Sequence, residues 1–518
     1  MSNARLFKKI LVVLLTAVMV IAIFAACTQD DTDDIQQTTS DFDDEVAPTP
    51  EDEETVIQTD GTDSMIRILP NLYDYDWGGH VFRVLSTDWG ESPEWTAWNP
   101  RDIVAEEMTG NPLNDAVYRR NSALEERYNF TVEHVMVRTT FVQGSSYIDV
   151  LRRAVSAGDN HFDVISIGLG SAATVAQEGL LVDLFDVHYL DFEQPYWDQG
   201  AVRDLAVGNR LFFTNGDFNL VNRDAMPVIL FNKQLLADLQ LDCPYELVRN
   251  GKWTIDTMYT MSRAAAADLG GHGGQLNPES DRFGFVPSFV GLGLRHGVGV
   301  RTADIDSDGM PVLTFASERN FNAVIAVHDL MNASFTMQLG AAEVGVDPAL
   351  SEPERIFTEG RGLFKGAAVR TVENLRGSET DFGILPMPWL DEHQGEWNHM
   401  VSALFGRAIA IPSFHDGYDL DRVGFILEAI SAESRYTVIP THHDIQLQGQ
   451  FIRDEESSEM LDVIFGSTVW DLGVIYNWVS FNIQMSVGTG RLASDWERHL
   501  VRTENAMQAT VDALANIG

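Results

Sequence analysis

The chain has 518 residues, 45% of them hydrophobic, enough to bury about three-quarters of its unfolded surface and more than one ordinary domain needs. Its 35 basic and 77 acidic side chains leave a net charge of −42. This excludes a nucleic-acid binder, which would need a basic face, and adhesion to anionic lipid by charge alone.

Taken in chain order, the first element is a leader. Arg5, Lys8 and Lys9 precede a 17-residue apolar run over residues 10–26. That run is short for a permanent membrane span, and it has the layout of a secretory signal. It ends in "FAAC", residues 24–27, which resembles the bacterial lipoprotein signal, with Phe24 where Leu is more usual. The resemblance implies cleavage after a 1–26 signal peptide and lipidation of Cys27. Only Cys243 then remains, and a single thiol cannot form an internal disulfide. Residues 28–64 hold 14 Asp or Glu and no Lys or Arg, a composition expected to stay disordered and, by self-repulsion, extended. Residues 27–64 therefore read as a lipidated cysteine plus an acidic tether. Beyond them the net charge is still −31, which gives an exported protein solubility.

The folded part opens with a strand at "HVFRVLS" (80–86) and a helix over "NPLNDAVYRRNSALEERYN", with Asn111 as N-cap and Pro112 at the first position. "FTVEHVMV" reads as a strand and "SYIDVLRRAVSAGDN" as a helix that Gly158 stops. "FDVISIG" is a buried strand and "SAATVAQEGLLVDL" a helix followed by a turn. This alternation predicts a parallel sheet covered on both faces. Later, "AMPVILFNKQLLADL" predicts a strand and helix, and "GKWTIDTMYTMSRAAAADLGG" a helix capped by Thr254. "FGILPMP" and "GRAIAIP" return to strand character, and from Asp421 the chain is mainly helical.

Three patterns look like sites and fail on inspection. Gly168, Gly170 and Ala173 fit a dinucleotide fingerprint, but a strand–helix unit precedes them and the acids that follow, Asp186 and Asp191, look like loop residues. Asp304, Asp306, Asp308 and Gly309 open like a calcium loop, yet its twelfth position is Phe315, so a hairpin turn at "SDG" is favoured. His442 and His443 lack metal-ligand spacing and read as a surface loop. No metal and no cofactor is expected.

The ordered set "FDVISIGLGSAATVAQEGLLVDL", "PYWDQGAVRDLAVGNRLFFTNGDFN", "VILFNKQLLADL", "GKWTIDTMYTMSRAA", "IFTEGRGLFKGAAVRTVENLR", "DFGILPMP" and "ILEAISAESRYTVIP" resembles the family 1 extracellular solute-binding proteins. "PYELVRNGKWT" looks like lipoproteins of this type from Gram-positive bacteria. The resemblance implies an α/β, two-lobed periplasmic-binding-protein-like fold, with hinge strands and a ligand cleft between the lobes. Lobe one would hold residues 65–218 with 355–390, and lobe two 219–354 with 391–518. The hinges would fall near "TNGDFN" and "MPWLDEHQGEW". The implied function is capture of a sugar or oligosaccharide for an ABC permease, by a monomer on the outer face of the cytoplasmic membrane, held there by its lipid alone. No catalysis is implied. A secreted glycoside hydrolase, which needs a carboxylate pair across the scissile bond, and a ligand-presenting partner of a membrane sensor remain the alternatives.

Sugars stack on aromatic rings and pair their hydroxyls with carboxylates, amides and Arg. Trp89 and Trp95, in the loop after the first strand with Trp98, fit that need, as do Trp389, Trp397 and Trp478. Each is equally at home in a core, because Trp is mostly buried. The resemblance adds the strand–helix turn at Gly170 and Ser171, Asp217 at the first hinge and Arg370 after "LFKGAAV". For Asp217 the simpler role is a turn cap, and for Arg370 a surface ion pair. Replacing Cys27 with Ala should release the protein into the culture medium; fractionation that still finds it in the membrane would count against the lipid anchor.

Overall fold

The structure, a computed structural model, describes residues 57–58, 67–90, 96, 98–138, 145–158, 161–274, 276–288, 291–338, 352–373, 375, 378–402, 405–447, 455–479 and 492–517. The leader, Cys27, Trp95 and most of the tether lie outside them. Within the tether's expected range, Ile57–Gln58 pairs antiparallel with Arg67–Ile68.

Eight strands carry the architecture: β1 His80–Asp88, β2 Phe130–Arg138, β3 Val164–Gly168, β4 Pro227–Asn232, β5 Phe283–Val286, β6 Gly362–Ala368, β7 Phe382–Leu385 and β8 Arg407–Ala410. They form two four-stranded sheets, ordered β8-β3-β1-β2 and β7-β4-β6-β5. In the first, β1 runs parallel to β2 and β3, and β8 is antiparallel to β3. In the second, β4 is antiparallel to β6 and β7, and β5 is parallel to β6.

Sequence and position agree strand by strand. The central β4 reads "PVILFN" and is buried at all six residues, as a strand covered on both faces must be. The edge strand β2 is largely uncovered and carries Glu133 and Arg138, charges that blunt an open edge. Helix Pro112–Tyr128 starts as expected: Asn111 accepts from the Leu113 and Asn114 N–H groups, with Pro112 in the first turn. Thr254 caps helix Ile255–Ala265 through the Thr257 N–H. The "SDG" segment is the turn of a hairpin pairing Ala303–Ile305 with Pro311–Leu313.

The expected partition of the late segments differs from the pairing observed. Residues 355–390, assigned to lobe one, supply β6 and β7 of the second sheet, and β8, from the segment assigned to lobe two, returns to the first. Both segments are short apolar strands, and only hydrogen-bond partners distinguish which sheet they join. The chain leaves the first sheet after Gly168, enters the second at Pro227, leaves it after Leu385 and returns to the first at Arg407.

The long helix Gly417–Leu447 lies against helix Pro112–Tyr128 in the first lobe. His442, expected in a surface loop, sits inside this helix and is buried. The same helix buries Glu428, which accepts from the Tyr196 hydroxyl and, at 2.9 Å, from Trp197 Nε1. Burial pushes its carboxyl up to about 8. Between about pH 4.5 and 8 the folded chain keeps a proton that the unfolded chain gives up, so this group's stabilisation is lost as pH rises through that window. Glu428→Gln should therefore flatten the fall in stability between pH 5 and 8, by on the order of 1 kcal/mol or more, and denaturant titrations of both proteins across that range check it.

Candidate functional site

Ligands of open α/β sheets sit outside the carboxyl ends of the strands. In the first lobe those ends, Asp88 and Gly168, are tied together by Arg407 at the start of β8. Its buried guanidinium reaches the carbonyls of Ser166, Thr87 and Trp98 at 3.3–3.4 Å. Its backbone is clamped in turn: Asn222 Oδ1 accepts its N–H at 2.8 Å, and its carbonyl accepts from Asn222 and Asn219 Nδ2 at 2.7 and 3.0 Å. Asn219 and Asn222 stand three residues apart across the start of the short helix Val221–Asp224, so one turn brings both amides to one backbone.

Beside this knot lies a cavity of about 760 Å³, within the size range of small-molecule sites. The crossing segment supplies Asp217, Asn222 and Arg223, helix Gly417–Leu447 supplies Arg435, and helix Glu455–Gly466 supplies Asp462 and Phe465. That last helix packs on the second sheet, where Ser457 Oγ accepts from the Ile384 N–H at 3.3 Å. The cavity is therefore walled by both lobes. Pro440 also lines it; lacking an N–H, it leaves the Tyr436 carbonyl without a helical partner.

Asp217 organises the lining. One oxygen accepts from Arg223 Nη2 at 3.0 Å and the other from Arg435 Nη1 at 3.1 Å. Arg223 in turn lies 4.8 Å above the Phe465 ring. Gly216 is required here for space, because a Cβ would stand 2.8 Å from Trp197. Asp198, whose pKa burial raises, caps helix Gln199–Leu205 through the Ala201 N–H at 2.9 Å.

A charge cluster lies on the other side of residues 222–226. Arg101 donates to Asp224 and to Glu373 at 2.9 Å each, and His442 Nε2 lies 2.9 Å from Asp224. Arg370 Nη1 is 3.7 Å from Asp224 and 3.5 Å from Glu373. Burial alone would raise the Asp224 pKa, but Arg101, His442 and Arg370 together hold it well below the usual carboxylate range.

Among the residues expected from sequence, Asp217 lines the cavity, with both oxygens engaged by arginines. Arg370 sits in the charge cluster, within ion-pair distance of Asp224 and Glu373. Trp89 and the pair Gly170 and Ser171 stand at the carboxyl ends of β1 and β3, with Trp89 packed on the main core. Trp389 and Trp397 pack on each other, ring centres 4.6 Å apart, with Trp389 buried and Trp397 packed against the second core. Trp478 is buried, stacks on Tyr476 and donates from Nε1 to Thr510 at 2.8 Å. Asn222, Arg223, Arg435, Asp462 and Phe465 were missed. Only the pair of asparagines in "NLVNRD" offered a signal, a repeat of amides on one helical face.

The fold is the two-lobed α/β arrangement of solute-binding proteins. It matches the cyclic alpha-maltosyl-1,6-maltose binding protein of Arthrobacter globiformis with a TM-score of 0.52 at 12% identity, over 85% of this chain and 100% of that one. Residues 115–283 match the family model of the bacterial extracellular solute-binding proteins, the family that the sequence resembles. The ABC substrate-binding protein Lmo0181 of Listeria monocytogenes, in complex with cycloalternan, aligns at 11% identity with a TM-score of 0.49, over 84% and 99% of the two chains. Comparison with curated protein sequences finds no significant match.

Asp217→Ala leaves Arg223 and Arg435 without their common carboxylate and should destabilise the fold by about 1–3 kcal/mol. Urea unfolding measures this, and an unchanged midpoint would mean that the arginines hold their places without it.

Proposed function

We propose that this chain is the capture component of an ABC importer, which closes its lobes around a sugar or oligosaccharide and hands it to a permease. The observation that carries the reading is the composition of the interlobe cavity: guanidinium, amide and carboxylate groups beside the Phe465 ring, in a space of about 760 Å³. Arg223 and Arg435 offer N–H donors to hydroxyl oxygens, Asp462 offers an acceptor, and the Phe465 ring, covered by Arg223, adds an apolar edge. Asp217 orients the two arginines and so contributes indirectly. Because the wall comes from both lobes, a bound ligand gains contacts only when they are close, and this difference in affinity selects the closed state.

The match of residues 115–283 to extracellular solute-binding proteins supports export and capture. The name of the Arthrobacter protein, a binding protein for a cyclic maltose-type saccharide, supports a carbohydrate and argues for binding over turnover. Among the described residues no helix is long and apolar enough to cross a membrane; in this reading Cys27, lipidated, holds the protein at the outer face of the cytoplasmic membrane.

Titration calorimetry against linear and cyclic glucose oligosaccharides, other neutral sugars and short peptides tests the reading. A saccharide should bind with the sugar recovered intact, and Arg435→Ala should weaken it about tenfold, equivalent to about 1.4 kcal/mol. Binding of peptides alone would overturn the carbohydrate assignment, and conversion of the oligosaccharide would favour a hydrolase.

A further inference from the structure

The cluster of Arg101, Asp224, Arg370, Glu373 and His442 has no part in lining the cavity, and it joins segments that belong to different lobes. Arg101 lies in a loop fixed to the first lobe. Arg120 Nη2 donates to the carbonyls of Asp102 and Ile103 at 2.6 and 3.1 Å, and Arg407 reaches the Trp98 carbonyl. Glu373 ends the short helix Val369–Val372, which continues directly from β6 of the second sheet. Asp224 sits in the crossing between the sheets, and His442 on the long helix of the first lobe. Arg101 therefore reaches over the boundary, with bonds to Glu373 at 2.9 and 3.3 Å and to Asp224 at 2.9 Å.

We propose that Arg101 is an interlobe latch: its fork on Glu373 and Asp224 holds the lobes together before any ligand arrives and so sets how much of the protein is ready to bind. Three features favour a latch over an incidental surface pair. The guanidinium engages two carboxylates at once, one of them in two near-parallel bonds, the geometry in which Arg pairs are strongest. Asp224 is almost fully buried, so losing Arg101 would leave its charge, among the described residues, to His442 and the more distant Arg370. Arg101 itself is a quarter exposed, so water can reach the pair and separation need not expose a wholly dry charge. A latch of this kind stores little energy by burial and is weakened by salt.

The inference rests on the reading that the lobes open and close, but its test requires no ligand. Hydrogen exchange and small-angle scattering on the ligand-free protein compare wild type with Arg101→Met and Glu373→Gln. Both variants should speed amide exchange across residues 369–373 and 98–103 together, on the order of tenfold, and increase the radius of gyration. Raising salt in the wild type should move exchange in the same direction. Thermal unfolding of the two variants identifies any that fail to fold, and the milder Glu373→Gln keeps Asp224 paired. Exchange that rises only in the loop carrying Arg101, with unchanged dimensions, would overturn the latch and leave a local structural role. The calorimetric screen reads sugar binding separately, so a failed latch and a failed carbohydrate assignment give different results.

Discussion

Everything that positions the cavity depends on one buried cation. Arg407 enters the first sheet at the carboxyl ends of its strands, where no carboxylate among the described residues lies within bonding distance, and its guanidinium reaches three backbone carbonyls. Burial of so large a charge is tolerated only where many acceptors surround it, and here they come from β1, β3 and the loop after β1. The same residue's backbone is held by Asn219 and Asn222, so the point where the chain leaves the first lobe is fixed to the point where it returns. A hinge needs this combination: strands that cross at a defined place, with flexible geometry confined to a few residues on either side.

Around that knot the structure separates two kinds of polar chemistry. On one side of residues 222–226, Asp217 holds two arginines at the cavity wall; on the other, Arg101 bridges Asp224, in the crossing, and Glu373, just beyond β6. Arg223 and Asp224 are adjacent in sequence and face opposite ways, so one short helix serves both the cavity and the interlobe contact. The difference is one of exposure. Charges at a cavity wall keep some solvent and can exchange it for a ligand, whereas Asp224 is paired by protein groups and is held ionised by them.

Much of the fold was legible because its signals are local. Asn111 and Thr254 cap helices through bonds to N–H groups two or three residues on, the buried strand "PVILFN" is uninterrupted by polarity, and "SDG" turns a hairpin. The site was less legible. Six tryptophans presented the same ambiguity between core and ligand surface, and nothing in their neighbourhoods told Trp478, stacked on Tyr476, from a ring facing a cleft. Asp217 was expected as a hinge carboxylate, but its engagement by two arginines, one of them 218 residues away, was not visible.

The sequence by itself determined the alternation of strands and helices and the caps and turns, because each depends on neighbours within a few positions. Tertiary structure decided which sheet β6, β7 and β8 join, turned His442 from a presumed loop residue into a buried partner of Asp224, and assembled the cavity wall from three distant segments. Those outcomes depend on hydrogen bonds and ion pairs between residues hundreds of positions apart, and no local pattern encodes which of several similar strands or charges will meet.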